Sequence, residues 1–99
     1  MQNRPKLSAA FHKIVDNVYY DPPESIEMEY PAIKYNLVNI KTDNANNSPY
    51  ITTPGYSVTL MDWNPDSEYV AKILALPYCS FDRHYTANDL HHWTFTIYN

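Results

Sequence analysis

The sequence predicts an α+β domain, a mainly antiparallel sheet of four to five strands with two helices packed on one face. Three observations lead there. Apolar residues fall at helical spacing twice, over Leu7 to Val15 and over Val70 to Leu74. Period-2 alternation recurs in several runs, the last through Trp93, Phe95 and Ile97. The order is helix, strands, helix, strands, without an internal repeat or βαβ alternation, so helices and sheet form separate layers. At 99 residues a single domain spanning 1–99 is expected, large enough to bury one core without staples.

Leu7, Ala10, Phe11, Ile14 and Val15 form the first helical stripe, with Pro5 near its start and Asp16-Asn17 near its end. A helix this short is marginal alone and needs a sheet beneath it. Val18 to Tyr20 reads as a short extended piece, ended by Asp21-Pro22-Pro23. Ile26, Met28 and Tyr30 alternate with Glu27 and Glu29, as a strand or as extended coil. Ile33, Tyr35 and Leu37 alternate beyond Pro31, with Ile40 further on. Proline cannot donate to a ladder, so Pro31 belongs at an edge, a bulge or a strand start. Lys41 to Pro54 is polar and Asn-rich, and reads as a long loop of functional kind.

Tyr56 to Tyr78 gives the clearest local signal. Val58 and Leu60 alternate with Ser57, Thr59 and Met61, and the strand continues through Asp62 and Trp63. Asn64 is expected to cap a helix with Pro65 at its first position, Asp66 and Glu68 favouring the positive end of the dipole. Val70, Ile73 and Leu74 form the inward stripe, and Pro77 ends it. Cys79 to Thr86 alternates again through Phe81, Arg83 and Tyr85. Ala87 to Leu90 supplies a turn into the last strand, making a C-terminal hairpin.

Composition narrows the function classes. The formal charge is −4 with scattered Lys and Arg, which argues against a partner held by phosphate neutralisation. Ten tyrosines against three phenylalanines indicate many half-buried aromatic positions with a wet end, as on sheets and interfaces. The one cysteine, Cys79, cannot form an internal disulfide and fits a protein assembled in the cytosol. No signal peptide or membrane-length apolar run is apparent, and with one glycine there is no phosphate-cradling loop.

Each candidate chemistry competes with a plainer explanation. Cys79, Asp82, His84, His91 and His92 are the residue types of a thiol protease. Nothing in the spacing predicts a depressed thiol pKa or an oxyanion hole, so a strand cysteine with rim histidines is preferred. His91 and His92 are adjacent and point to opposite faces of a strand, which disfavours a shared metal ion. Asp43 to Asn47 faintly resembles a calcium loop, but Ser48 and Pro54 stand where glycine and a bidentate glutamate are needed. Glu27 and Glu29, with Glu24, read as a solvated acidic stripe. Tyr85, Trp93, Phe95 and Tyr98 could stack nucleobases, yet only Arg83 is near, and core or subunit-interface packing accounts for them better.

The second half, and parts of the first, resemble a family of small tail proteins of long-tailed bacteriophages, the tail terminator or tail-to-head joining proteins. The resemblance lies in Tyr19 to Pro23, Tyr30 to Tyr35, Ala45 to Tyr50, Tyr56 to Leu60 and Asn64 to Ser67. It is densest in Leu76-Pro77-Tyr78-Cys79-Ser80-Phe81-Asp82-Arg83-His84-Tyr85, continuing through Leu90-His91-His92 to Phe95-Thr96-Ile97-Tyr98. It implies a structural protein of the virion tail or neck, without catalytic residues, cofactor or metal, assembled in the host cytoplasm. Its partners would be further copies in a ring, commonly a homo-hexamer, the tail tube protein and a head-completion protein. DNA would pass through the ring without specific binding, and no membrane is involved. Ring closure requires heterologous contacts, for which a sheet edge and the Asn-rich loop are candidates. The expected interface residues are Asn44, Asn46, Asn47, Tyr50, Ile51, Tyr85 and Trp93.

Overall fold

The computed structural model describes residues 3–23, 25–43 and 51–98. Its elements run α1 (Asn3–His12), β1 (Asn17–Tyr20), β2 (Ala32–Asp43), β3 (Ile51–Asp62), α2 (Tyr69–Leu74), β4 (Cys79–Ala87) and β5 (Leu90–Tyr98). The strands form one sheet in the order β1-β2-β3-β5-β4, the α+β arrangement expected. Every neighbouring pair is antiparallel except β1 with β2.

Strand alternation sorts the core onto two faces. Ile33, Tyr35, Tyr56, Val58, Leu60, Trp93, Phe95 and Ile97 pack with Leu7, Phe11 and Val15 of the first helical stripe and with Ile73 of α2. Both helices therefore lie on one face. Phe11 is fully buried and meets the ring of Tyr35 edge-on at 5.1 Å, which fixes how α1 crosses the sheet. On the other face, Ala32, Met61 and Leu90 form a smaller cluster capped by Tyr19, Met28 and Tyr30. Met28 and Tyr30 belong to residues 21–31, which join the parallel strands β1 and β2 without a helix. The described residues of this stretch form no strand. Met28 and Tyr30 cover the back of the sheet as a strap, while Glu27 and Glu29 point to solvent. Asn17 Nδ2 donates to the carbonyl of Pro31 (3.2 Å), tying the strap's end to the start of β1, and the Tyr30–Pro31 peptide is cis.

Two expectations in the middle of the chain are corrected. The segment 41–54 is not one long loop: Lys41 pairs with Thr53 and Asp43 with Ile51, so β2 and β3 continue into it from both ends. β5 accompanies β3 only as far as Gly55, so this part of the pair projects as a two-stranded arm of about 13 Å. Pro54, which has no N–H, stands at the point where β5 stops. The second correction concerns the helix start. Asn64 does not cap α2, which begins at Tyr69. Asn64 Oδ1 instead accepts the amide of Asp66 (3.0 Å), while Asp62 Oδ1 accepts the amide of Asn64 (3.1 Å). Two such local bonds satisfy the turn in place of a helical first turn. α2 keeps only six residues, and of its expected stripe only Ile73 is buried, with Leu74 42% exposed.

The C-terminal hairpin turns at Asn88-Asp89, whose φ values of 53° and 65° are those of a two-residue type I′ turn. Along β4 the expected alternation of Phe81, Arg83 and Tyr85 breaks. Phe81 pairs with Phe95, but Arg83 pairs with Thr94, so Asp82 is an extra residue in a β-bulge. Phe81 therefore shares the helix side of the sheet, while Arg83 and Tyr85 face the strap side. The bulge is held by Thr96 Oγ1, which donates to Asp82 Oδ2 (2.7 Å).

Candidate assembly surface

β4 is the edge strand of the sheet, nine residues long, of which all but Cys79 are exposed. Among the described residues only β5 pairs with it, so one side of its ladder is open to another strand. Its approach is also unusual. Tyr78, the residue before β4, has φ 57° and is 82% exposed. A bulky side chain in the left-handed region costs on the order of 1–2 kcal/mol, and this one gains little burial in return. Leu74 and Phe81, 46% exposed, add apolar surface at the same end of the sheet. Sequence reading missed Tyr78 and Leu74. Leu74 reads as part of the core, and Tyr78 lies just beyond Pro77, where the helix stripe ends.

The expected interface residues divide. Asn44, Asn46, Asn47 and Tyr50 lie outside the described residues, as does most of the faint calcium loop. Ile51 opens β3 at the tip of the two-stranded arm, opposite Asp43. Tyr85 is 37% exposed on the strap side of β4, whereas Trp93 is 7% exposed and faces the helices. The two rings are on opposite faces of the hairpin and cannot form one stacking platform. Tyr85 instead lies between Arg83, at 5.0 Å from its ring centroid, and His92, stacked at 4.6 Å. This three-member stack shields the back of the hairpin.

The histidines and Cys79 are also separated. Cys79 pairs with Ile97 at the start of β4, while His84 pairs with Trp93 well along the strand. Burial, reinforced by the carboxylate of Asp82, pushes the Cys79 thiol up to about 11, away from the thiolate a nucleophile needs. His92 is shifted the other way. Burial lowers its pKa first, opposed by a hydrogen bond to the Leu90 carbonyl (3.0 Å) and assisted by Lys34, His84 and His91. As expected for adjacent strand positions, His91 turns to the helix side and His92 to the strap side. Among the described residues no group of three or more His, Cys, Asp or Glu side chains could hold one metal ion.

A cleft of about 470 Å³ lies between the strap and the back of the sheet, walled by Pro22, Pro23 and Ile26 and floored by Lys34, Asn36 and His92. It is open to solvent. Among the described residues no helix is long and apolar enough to cross a membrane. No family model matches the chain, and no curated protein is similar to it at a significant level.

Proposed function

We propose that the chain is a structural protein of a phage virion that forms a ring, a homo-hexamer, at the head-proximal end of the tail. There it ends the tail tube and joins it to the head. The observation that carries the reading is the correspondence between the densest stretch of resemblance, Leu76 to Tyr85, and the open edge of the sheet, Tyr78 with β4. A ring requires two different surfaces that meet repeatedly. An exposed nine-residue edge strand beside an outward-facing tyrosine is one such surface, and the two-stranded arm can reach a neighbour. The net charge of −4 is compatible with DNA passing through without adhering. The partners would be the tail tube protein and a head-completion protein, the site of action the virion neck, and the site of assembly the host cytoplasm.

A head-closure or connector role in the same neck is the second reading, since it uses the same surfaces with a different neighbour. Native mass spectrometry of the purified chain, alone and with tail tube protein, should give a closed ring. A monomer under both conditions would overturn the ring. Electron microscopy of phage lacking the chain separates the two roles: overlong tails indicate termination, and finished tails beside unjoined heads indicate joining.

A further inference from the structure

Lysines cluster on one surface of this molecule in a way that composition hides. Three of its five lysines, Lys6, Lys13 and Lys72, ring a single groove of about 600 Å³ between α1 and α2. The floor between them is apolar, formed chiefly by Ala9, Ile14 and Leu76. No carboxylate lines the groove or pairs with these lysines among the described residues. Lys72 has only the Tyr69 ring beneath it, at 5.6 Å.

The opposite side of the sheet carries the complement. On the strap, Asp21, Glu27 and Glu29 are exposed, with Pro23 and Ile26 exposed between them, while Met28 is pinned against Met61. An apolar floor within a rim of ammonium groups suits a polypeptide that brings both apolar atoms and carboxylates. It does not suit nucleic acid. A phosphate backbone has no use for a floor of alanine, isoleucine and leucine, and the groove offers neither arginine nor an aromatic ring to a base. The strap of another copy supplies both halves of the match.

We propose that the groove ringed by Lys6, Lys13 and Lys72 receives the acidic strap, Pro23 with Ser25 to Glu29, of a second copy of this chain. Groove and strap lie on opposite faces of one sheet, so the contact is heterologous, front to back, and a pair of copies keeps one unused groove and one unused strap. The inference does not rest on the tail reading, because a ring could instead close through the β4 edge.

The test uses the full chain and sedimentation equilibrium. The wild type should form a concentration-dependent series of oligomers that weakens by roughly tenfold in association constant between about 50 mM and about 500 mM salt. Lys13→Glu with Lys72→Glu should abolish the series, and so should Glu27→Lys with Glu29→Lys. All four positions are exposed, and circular dichroism should show both variants folded. An equimolar mixture of the two variants should restore association, because each then meets an opposite charge. A monomeric wild type overturns the proposal, and so does association that survives the lysine reversals or a mixture that stays dissociated. Phe81→Lys on the β4 edge separates this contact from the ring. If that change alone dissociates the protein, the ring edge stands and the strap contact falls. If only the charge reversals dissociate it, the strap contact stands and the edge falls.

Discussion

The imidazoles of His84 and His91 meet edge to edge across the C-terminal hairpin, Nε2 of the first 3.0 Å from Nδ1 of the second. Their planes lie within 13° of parallel, and the centroids are 5.2 Å apart. One nitrogen must donate and the other accept. Thr86 Oγ1 is also 3.2 Å from His91 Nδ1, so both bonds form when that nitrogen accepts and His84 carries its proton on Nε2. Long-range proton–nitrogen correlation spectra above pH 8 should therefore show an Nε2–H tautomer for His84 and for His91. His92, donating to Leu90, should show Nδ1–H. The opposite tautomer at His84 would mean the pair is not bonded in this sense.

His92 should titrate below the ordinary histidine range. Burial is the first cause, and the nearby cation of Lys34 adds to it. A histidine whose folded pKa is depressed contributes stability that is present above the unfolded pKa of about 6.5 and lost as pH falls through the folded value. Lys34→Gln should raise the His92 pKa toward its unfolded value and so shrink that loss. An NMR titration of His92 that is unchanged by Lys34→Gln would remove Lys34 as a cause.

Cys79 should be a slow nucleophile. With its pKa pushed up to about 11, roughly one thiol in a thousand is ionised at pH 8. Iodoacetamide should label the native protein far more slowly than the unfolded chain, at a rate still climbing above pH 10. The stability linked to the protonated thiol is full below the ordinary thiol value of 9.0 and is lost as pH rises toward 11. Rapid labelling at pH 7 would contradict the environment described for this side chain.

Leu60→Asp should prevent folding. Leu60 is fully buried on the central strand β3, between Ile33 of β2 and Trp93 of β5, where a carboxylate would find no partner. The loss of about 4 kcal/mol or more is comparable with the whole stability of a small domain. A soluble variant with native circular dichroism would show that this position is not central to the core.

The fold was legible where one physical signal dominated. Phe11 and Val15 in the first stripe, Val58 and Leu60 on β3 and Phe95 and Ile97 on β5 all read correctly, because each obeys a single period against one buried face. Where the reading failed, a residue's simple preference was outweighed by a turn bond, a bulge or a contact that the periodic pattern does not carry. Asn64 has the chemistry of a cap, yet Asp62 and Asp66 draw it into a turn. Lys41 to Asp43 are polar because the arm they build lacks a third strand, and polarity was read as loop. Arg83 and Tyr85 misled because an extra residue in one strand leaves no mark on composition. Met61 looked like the solvent side of β3, since the strap that covers it comes from residues 21–31. The lysine groove was beyond sequence reading, as Lys13 and Lys72 are brought together only by the packing of α1 beside α2.

The route of the first thirty-one residues gives the fold a particular dependence. α1 lies on one side of the sheet, β1 borders it, and the strap returns across the other side, so the N-terminal third grips the sheet as a clip grips paper. Both jaws are joined through a strand of only four residues. When β1 leaves the edge, the apolar surface under α1 and that under Tyr30 become wet together rather than in turn. The remaining strands are linked largely by neighbours in sequence and can pair early. Closing the clip is then the event that turns a bare sheet into a domain, and a protease reaching residues 21–31 would undo both sides with one cut.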